Sequence, residues 1–173
     1  ILSDCVFSYR KGRSAAVALS RLGRFIKDNP GPCAIIRRDI TSFGEHMQHD
    51  FVMEDFCQYA APGAGLKHLM QQICRFKYTK DEKLLENSRG LPGGHYIQLI
   101  CENLYLLNLD RELEKVKPAC YMRFGDDSLF ASPDTKLAAH AAEAIGAFLE
   151  KRGVCANVAK SRDIRLGPPK DLC

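Results

Sequence analysis

Apolar residues recur along this chain in two rhythms, one of about 3.6 residues and one of two, with glycine and proline marking the changes between them. Val6 to Tyr9 is a short β-like run. Ser14 then stands where a helix N-cap belongs, and Ala15, Ala18, Leu19, Leu22, Phe25 and Ile26 fall on one face of the helix it starts. Asp28-Asn29-Pro30-Gly31 ends that helix. Cys33-Ala34-Ile35-Ile36 has the character of a buried strand, and Arg37, Arg38 and Asp39 follow as it emerges. A helix is predicted from Glu45 to Cys57, with Met47, Phe51 and Phe56 inward. Pro62-Gly63-Ala64-Gly65 breaks it, and Leu66, Leu69, Met70 and Ile73 return at helical spacing. Lys77 to Ser88 is polar and predicts a loop or a frayed helix.

The second half repeats the alternation. Arg89 to His95, rich in glycine with one proline, leads into a stripe of Ile97, Ile100, Cys101, Leu104 and Leu107, with Asp110-Arg111-Glu112 near the end of that long helix. Tyr121 to Ser132 is written as a β-hairpin: an apolar run enters, Gly125 allows a tight reversal, Asp126 and Asp127 sit on the bend, and an apolar run leaves. Ser132-Pro133-Asp134 starts a last helix, with Leu137, Ala141, Ile145, Phe148 and Leu149 inward and Gly153 at its C-terminal cap. Val154 to Val158 and Asp163 to Leu166 read as short strands with Lys160 between them. This order predicts an α+β fold, an antiparallel sheet with helices packed on one face. Asp39 would lie on a central strand and the Asp126-Asp127 hairpin beside it.

Composition narrows the classes. The 173 residues are 46% hydrophobic, enough for one compact domain. A net charge of +4 and a pI of about 8.6 permit an anionic partner without demanding one. Eight cysteines stand singly, none in a CxxC pair, which predicts free thiols in a reducing, cytoplasmic setting. His46, His49, Cys57 and His68 match no usual zinc spacing. There is no secretory signal, and no apolar run is long enough to span a bilayer, so no membrane partner is expected. The start at Ile1 and the stop after Pro168-Pro169 read as an excised piece of a longer polypeptide.

Four places carry candidate chemistry, each with an ordinary alternative. Two adjacent carboxylates repel each other and lose hydration, a cost that a hard divalent ion such as Mg²⁺ removes, but Gly-Asp-Asp is also a common solvated turn. Asp39, at the end of a buried strand, is fixed by the scaffold and placed to hold a metal; it could equally pair with Arg37 or Arg38 or cap the next helix. The basic loop Arg10 to Ser14 precedes a helix N-terminus, a natural phosphate site, or is simply solvated. The Gly90 to Gly94 loop can approach a flat partner such as a nucleobase, or be an ordinary turn.

In order, these segments resemble the palm of reverse transcriptases, particularly the bacterial group II intron, retron and phage-defence kind. Phe7-Ser8-Tyr9-Arg10-Lys11-Gly12-Arg13-Ser14 resembles the second motif, and Arg38-Asp39-Ile40-Thr41-Ser42-Phe43 resembles motif A. Gly90-Leu91-Pro92-Gly93-Gly94 through Leu106 resembles motif B, Tyr121 to Phe130 motif C, and Gly153 to Ser161 motif D. The resemblance implies an RNA-directed DNA polymerase in which Asp39, Ile40, Asp126 and Asp127 hold two Mg²⁺ ions, or Mn²⁺, for transfer from a dNTP to a primer 3′-hydroxyl, with Asp127 assisting by metal contact or by shaping the hairpin. It implies Lys160 as the group that protonates or stabilises pyrophosphate. Arg10, Arg13, Phe43, Gly44, Gly90, Pro92, Gly93 and Gly94 would meet the nucleotide or an RNA or DNA template with its primer. Residues 1–30 would adjoin the fingers and 31–173 form the palm, with the rest of the fingers and the thumb supplied by flanking regions of the parent chain and the fragment weak alone.

The motifs depart from the family in three places. Gly93 and His95 stand in motif B where Gln and a second glycine are usual. Gly125 replaces Ala before the two acids, as in many viral RNA-dependent RNA polymerases. Gly44 stands five positions after Asp39, where an aromatic ring usually excludes a ribose 2′-hydroxyl, with Phe43 one step earlier. An RNA-dependent or sugar-tolerant polymerase is therefore an alternative, as is a catalytically silent palm that binds nucleic acid.

Overall fold

The computed structural model describes residues 2–167, so Cys173 and the Pro168-Pro169 end lie outside the described residues. The elements run α1 (Ala15–Asp28), β1 (Cys33–Arg38), α2 (Phe43–His46), α3 (His49–Ala60), α4 (Ala64–Cys74), β2 (Lys77–Lys80), β3 (Lys83–Glu86), α5 (Tyr96–Tyr105), α6 (Leu107–Leu113), β4 (Cys120–Phe124), β5 (Asp127–Ser132), α7 (Thr135–Lys151) and β6 (Arg162–Leu166). Four strands form an antiparallel sheet in the order β4-β5-β1-β6. The strand that leads to Asp39 is thus internal, with the acidic hairpin beside it.

Alternation along the strands divides the core. Ala34, Ile36, Tyr121 and Phe130 belong to the larger cluster, with Leu104, Leu107, Ile145 and Leu149 from the helices. Cys33, Ile35, Met122 and Ala131 point the other way, where α1 covers them through Ala18, Leu22, Phe25 and Ile26. Leu19, expected inward, is exposed, because that contact uses a narrower stripe of α1. The seven cysteines among the described residues are free thiols, and burial pushes Cys74 up to about 11 and Cys101 up to about 12, as expected of thiols packed as small hydrophobes. No helix among the described residues is long and apolar enough to cross a membrane.

Local expectation and tertiary structure part company at five points. The predicted helix from Glu45 to Cys57 is two, split at Met47-Gln48, because the carbonyls of Gly44 and Met47 accept from the Leu91 and Gly90 amides at 2.9 and 2.7 Å. The long helix after His95 is likewise divided at Leu106. Lys77 to Ser88 is no loop but carries the hairpin β2–β3, turned at Asp81 and Glu82, both with positive φ. The Val6 run makes one parallel bridge to Arg123 instead of a strand, and Val154 to Val158 makes one bridge, Ile40 to Ala156.

Candidate active site

β1 ends at Arg38, opposite Ser128 on β5, so Asp39 emerges level with the hairpin turn. Its backbone is clamped by the segment after α7: the Asn157 amide donates to the Asp39 carbonyl at 2.7 Å, and the Thr41 amide to the Cys155 carbonyl at 2.9 Å. The side chain is buried, at 3% exposure. Lys160 Nζ donates to Asp39 Oδ2 at 3.3 Å, while Oδ1 is buried with no hydrogen-bond partner. An unsatisfied buried acceptor of this kind costs about 1–3 kcal/mol or more when charged, which a bound cation would relieve.

Phe124 pairs with Asp127, leaving Gly125 and Asp126 as a two-residue turn. Gly125 has φ +64, the conformation that the first position of such a turn asks of glycine. Burial raises the Asp126 carboxyl above the ordinary range, its own backbone amide opposes that, the charges of Asp39 and Asp127 add to it, and Lys160 works against it. Asp39 and Asp126 therefore lie within each other's field, with one lysine between the two charges.

Asp127 is committed elsewhere. It accepts from Arg37 Nε at 2.9 Å and Nη2 at 3.1 Å, a two-pronged ion pair on the side of the sheet that carries Leu129 and Ala131. Arg37 sits opposite Leu129, so it is the diagonal cross-strand neighbour of Asp127. Among the described residues, no three or more His, Cys, Asp or Glu side chains are gathered where they could hold a metal ion, and Asp127 stands in the hairpin-shaping position through its pair with Arg37.

The other expected contacts divide. Arg10 Nη1 donates to the Ser3 and Val6 carbonyls at 2.7 and 3.1 Å, and Arg13 pairs with Asp4 at 2.9 Å and lies over the Phe7 ring; both brace the N-terminal segment. Phe43 is in the core, edge-on to Tyr105 with ring centres 5.6 Å apart, and does not swing into the place next to it. Gly44 is buried, and a Cβ there would meet Gln98 Nε2 at 1.8 Å. Gln98 in turn donates to Glu102 Oε1 at 2.8 Å, so a polar pair from α5 fills the space above Gly44. Burial raises the Glu102 carboxyl, and the Asp126 charge adds to it.

The Gly90 to Gly94 loop is anchored at its start and open at its tip. Gly90 has φ +74, and His49 Nε2 and Asn87 Nδ2 donate to its carbonyl at 2.8 and 2.9 Å. A Cβ at Gly90 would meet the Glu45 carbonyl at 2.4 Å, whereas Gly93 and Gly94 have nothing within 4 Å, and Pro92 borders a shallow hollow with Phe76 and Ile97. Gly90→Ala is therefore expected to destabilise the protein by about 1–3 kcal/mol. Gly93→Ala is expected to be near neutral, and thermal melting of both variants checks the contrast.

Two residues went unremarked as candidates. Tyr9 has φ +54 and a half-exposed ring whose hydroxyl lies 3.8 Å from where a Gly125 Cβ would stand. Arg123, inside an otherwise apolar run, is buried beneath the turn. The signals available were a cation flanked by apolar residues and an aromatic beside a basic loop.

Comparison with known proteins bears on the fold. No protein-family model matches the sequence, and no curated protein matches it. Among solved structures, apo telomerase from Candida tropicalis truncated from its C-terminal domain is similar at TM-score 0.72 and 12% identity, over 94% of this chain and 36% of that one. Telomerase from the same organism with a fragment of telomeric RNA is similar at TM-score 0.74 and 12% identity, over 93% of this chain and 30% of that one. Telomerase from Candida albicans with such a fragment gives TM-score 0.69 and 14% identity, over 91% and 31%. The chain spans about a third of the telomerase chains it matches. Its fold is that of a reverse-transcriptase-like polymerase palm, the fold it shares with these telomerase structures.

Proposed function

We propose that this chain is the palm of an RNA-directed DNA polymerase, joining a dNTP to a primer 3′-hydroxyl. The observation that carries the reading is the buried, partnerless Oδ1 of Asp39 within the field of a second strained acid, Asp126. Asp39, Asp126 and the backbone carbonyl of Ile40 fit Mg²⁺ or Mn²⁺, hard cations that take oxygen ligands. When bound, such ions make the attacking hydroxyl more acidic and stabilise charge on the phosphoryl and leaving oxygens.

The chain's own residues do the rest. Lys160, half exposed and tethered to Asp39, neutralises the acid pair in the resting protein and is free to turn toward the leaving pyrophosphate. Asp127 holds the hairpin to β1 through Arg37. The open tip of the Gly90 to Gly94 loop faces the templating pair.

Residues 1–30 would adjoin the fingers and 31–173 belong to the palm, with template and primer held between it and flanking regions of a parent chain. That two of the telomerase structures contain RNA supports a nucleic-acid partner. Affiliation with the bacterial defence and mobile-element enzymes rests on motif spelling alone, and a cytoplasmic setting rests on the free thiols.

One observation favours a second reading. Gln98 and Glu102, instead of a ring, lie against Gly44, and polar groups there suit a ribose hydroxyl and hence a sugar-tolerant or RNA-dependent polymerase. Primer extension by the full parent chain on RNA and DNA templates, with dNTPs and NTPs, tests both. Nucleotide addition that disappears in Asp39→Asn is expected. No addition by wild type, with Mn²⁺ bound equally by both proteins, would leave a silent nucleic-acid-binding palm.

A further inference from the structure

We infer that Arg123 is a positioning residue for the Asp126 carboxylate, acting through the carbonyl of Gly125; this rests on the reading of Asp39 and Asp126 as a metal-holding pair. Arg123 is 1% exposed and heads the fully buried side chains by size. One side of its guanidinium is anchored, with Nε donating to Asp110 Oδ1 at 2.9 Å and Nη2 to Asp110 Oδ2 at 2.7 Å. Tyr121 holds the same carboxylate, its hydroxyl donating to Asp110 Oδ1 at 3.0 Å. The other side does something different. Nη1 donates to Asn103 Oδ1 at 3.0 Å and to the Gly125 carbonyl at 2.8 Å.

That carbonyl belongs to the peptide joining Gly125 to Asp126. The peptide is planar, so fixing the carbonyl fixes the plane from which the Asp126 side chain departs. Gly125, lacking a Cβ, imposes little on that plane itself. A charge-assisted bond to the carbonyl is the strong kind, and it is made out of water.

Stability alone is a poor account of the cation. Replacing a buried ion pair by neutral groups of similar volume is often neutral or stabilising. What such a replacement gives up here is donation to Asn103, whose Oδ1 still has Ser8, and donation to the Gly125 carbonyl at the turn. Asn103 steadies the donor from above, and the Ser8 hydroxyl donates to its Oδ1 at 3.2 Å, so the N-terminal segment, α5, α6 and the turn meet on this guanidinium.

The test is Mn²⁺ binding to the full parent chain, read by the electron paramagnetic resonance of free ion, with thermal melting alongside. In Arg123→Met combined with Asp110→Asn, no unpaired charge remains and Asn keeps an acceptor for Tyr121. This variant is expected to melt close to wild type yet bind Mn²⁺ about ten- to a hundredfold more weakly, the range for groups that orient metal ligands from behind. A folded variant that binds Mn²⁺ as wild type does overturns the inference. Arg123→Lys keeps the charge opposite Asp110 but lacks the fork that reaches Gly125, and decides the matter if the double variant does not fold: weakened binding supports the role, unchanged binding ends it. Equal Mn²⁺ affinity in wild type and Asp126→Asn is a different result, since it removes the metal-pair reading itself.

Discussion

Asp126→Asn in the parent chain is expected to slow the proposed nucleotide addition about a thousandfold and, in metal-free protein, to raise the melting temperature by a few degrees. The two effects have one origin. Asp126 is a half-buried carboxylate held against the charge of Asp39, so the amide loses a repulsion and a desolvation cost while keeping the shape. Relief of about 1 kcal/mol moves the midpoint of a domain this size by about 2–4 °C. On the proposed reading a divalent ion would take an oxygen of the same carboxylate, and losing several kcal/mol of charge stabilisation would cost about three powers of ten in rate. Single-turnover primer extension and calorimetry in chelator measure both. Loss of activity with a lower melting point would mean that Asp126 is a structural acid and not a strained one.

Arg152→Met is expected to have the largest effect on stability, about 3–5 kcal/mol, or roughly 10 °C and more in melting temperature. Arg152 Nη1 and Nη2 donate to Asp55 Oδ2 and Oδ1 at 2.5 and 3.2 Å, joining α7 to α3. Its guanidinium also lies over Phe51, Tyr105 and Phe148, 4.7 to 5.2 Å from their ring centres. The variant leaves Asp55, at 1% exposure, as a buried charge without its partner. Burial already raises the Asp55 carboxyl and Arg152 opposes that, so removing the arginine raises it further. A carboxyl raised on folding contributes its stability in full below the unfolded value and loses it as pH rises through the folded one. The deficit of Arg152→Met should therefore be large at neutral pH and shrink toward pH 4, as melting curves across that range would show.

Much of the architecture follows from neighbours in sequence. Ser14 does accept from the Val17 amide, so that helix starts where its cap places it, whereas the last helix is capped by Asp134, which accepts from the Lys136 and Leu137 amides, and Pro133 stands before its first turn and not in it. Gly125 turns the acidic hairpin, and the apolar run from Cys33 is an internal strand. What could not be read locally came from distant partners. The break at Met47-Gln48 is imposed by amides more than forty positions away. The β2–β3 hairpin has no apolar alternation to announce it, since every residue of β3 is exposed. At the site, Asp39 and Asp126 were legible as candidates because strand ends present acids. Asp127's engagement with Arg37 was not, since it depends on register. Gln98 and Glu102 carry no local mark that they lie against Gly44, a contact set by the packing of α2 on α5.

That same β2–β3 ribbon divides the chain in a telling place. Its turn at Asp81-Glu82 leaves β1 on one side and β5 with β6 on the other, yet these strands are interleaved in one sheet. Fresh ends opened there would yield two polypeptides, one bearing Asp39 and the other Asp126, neither able to complete the acid pair alone. Reunion of the halves across β1 would restore it, making this turn a natural seam for a two-piece version of the palm.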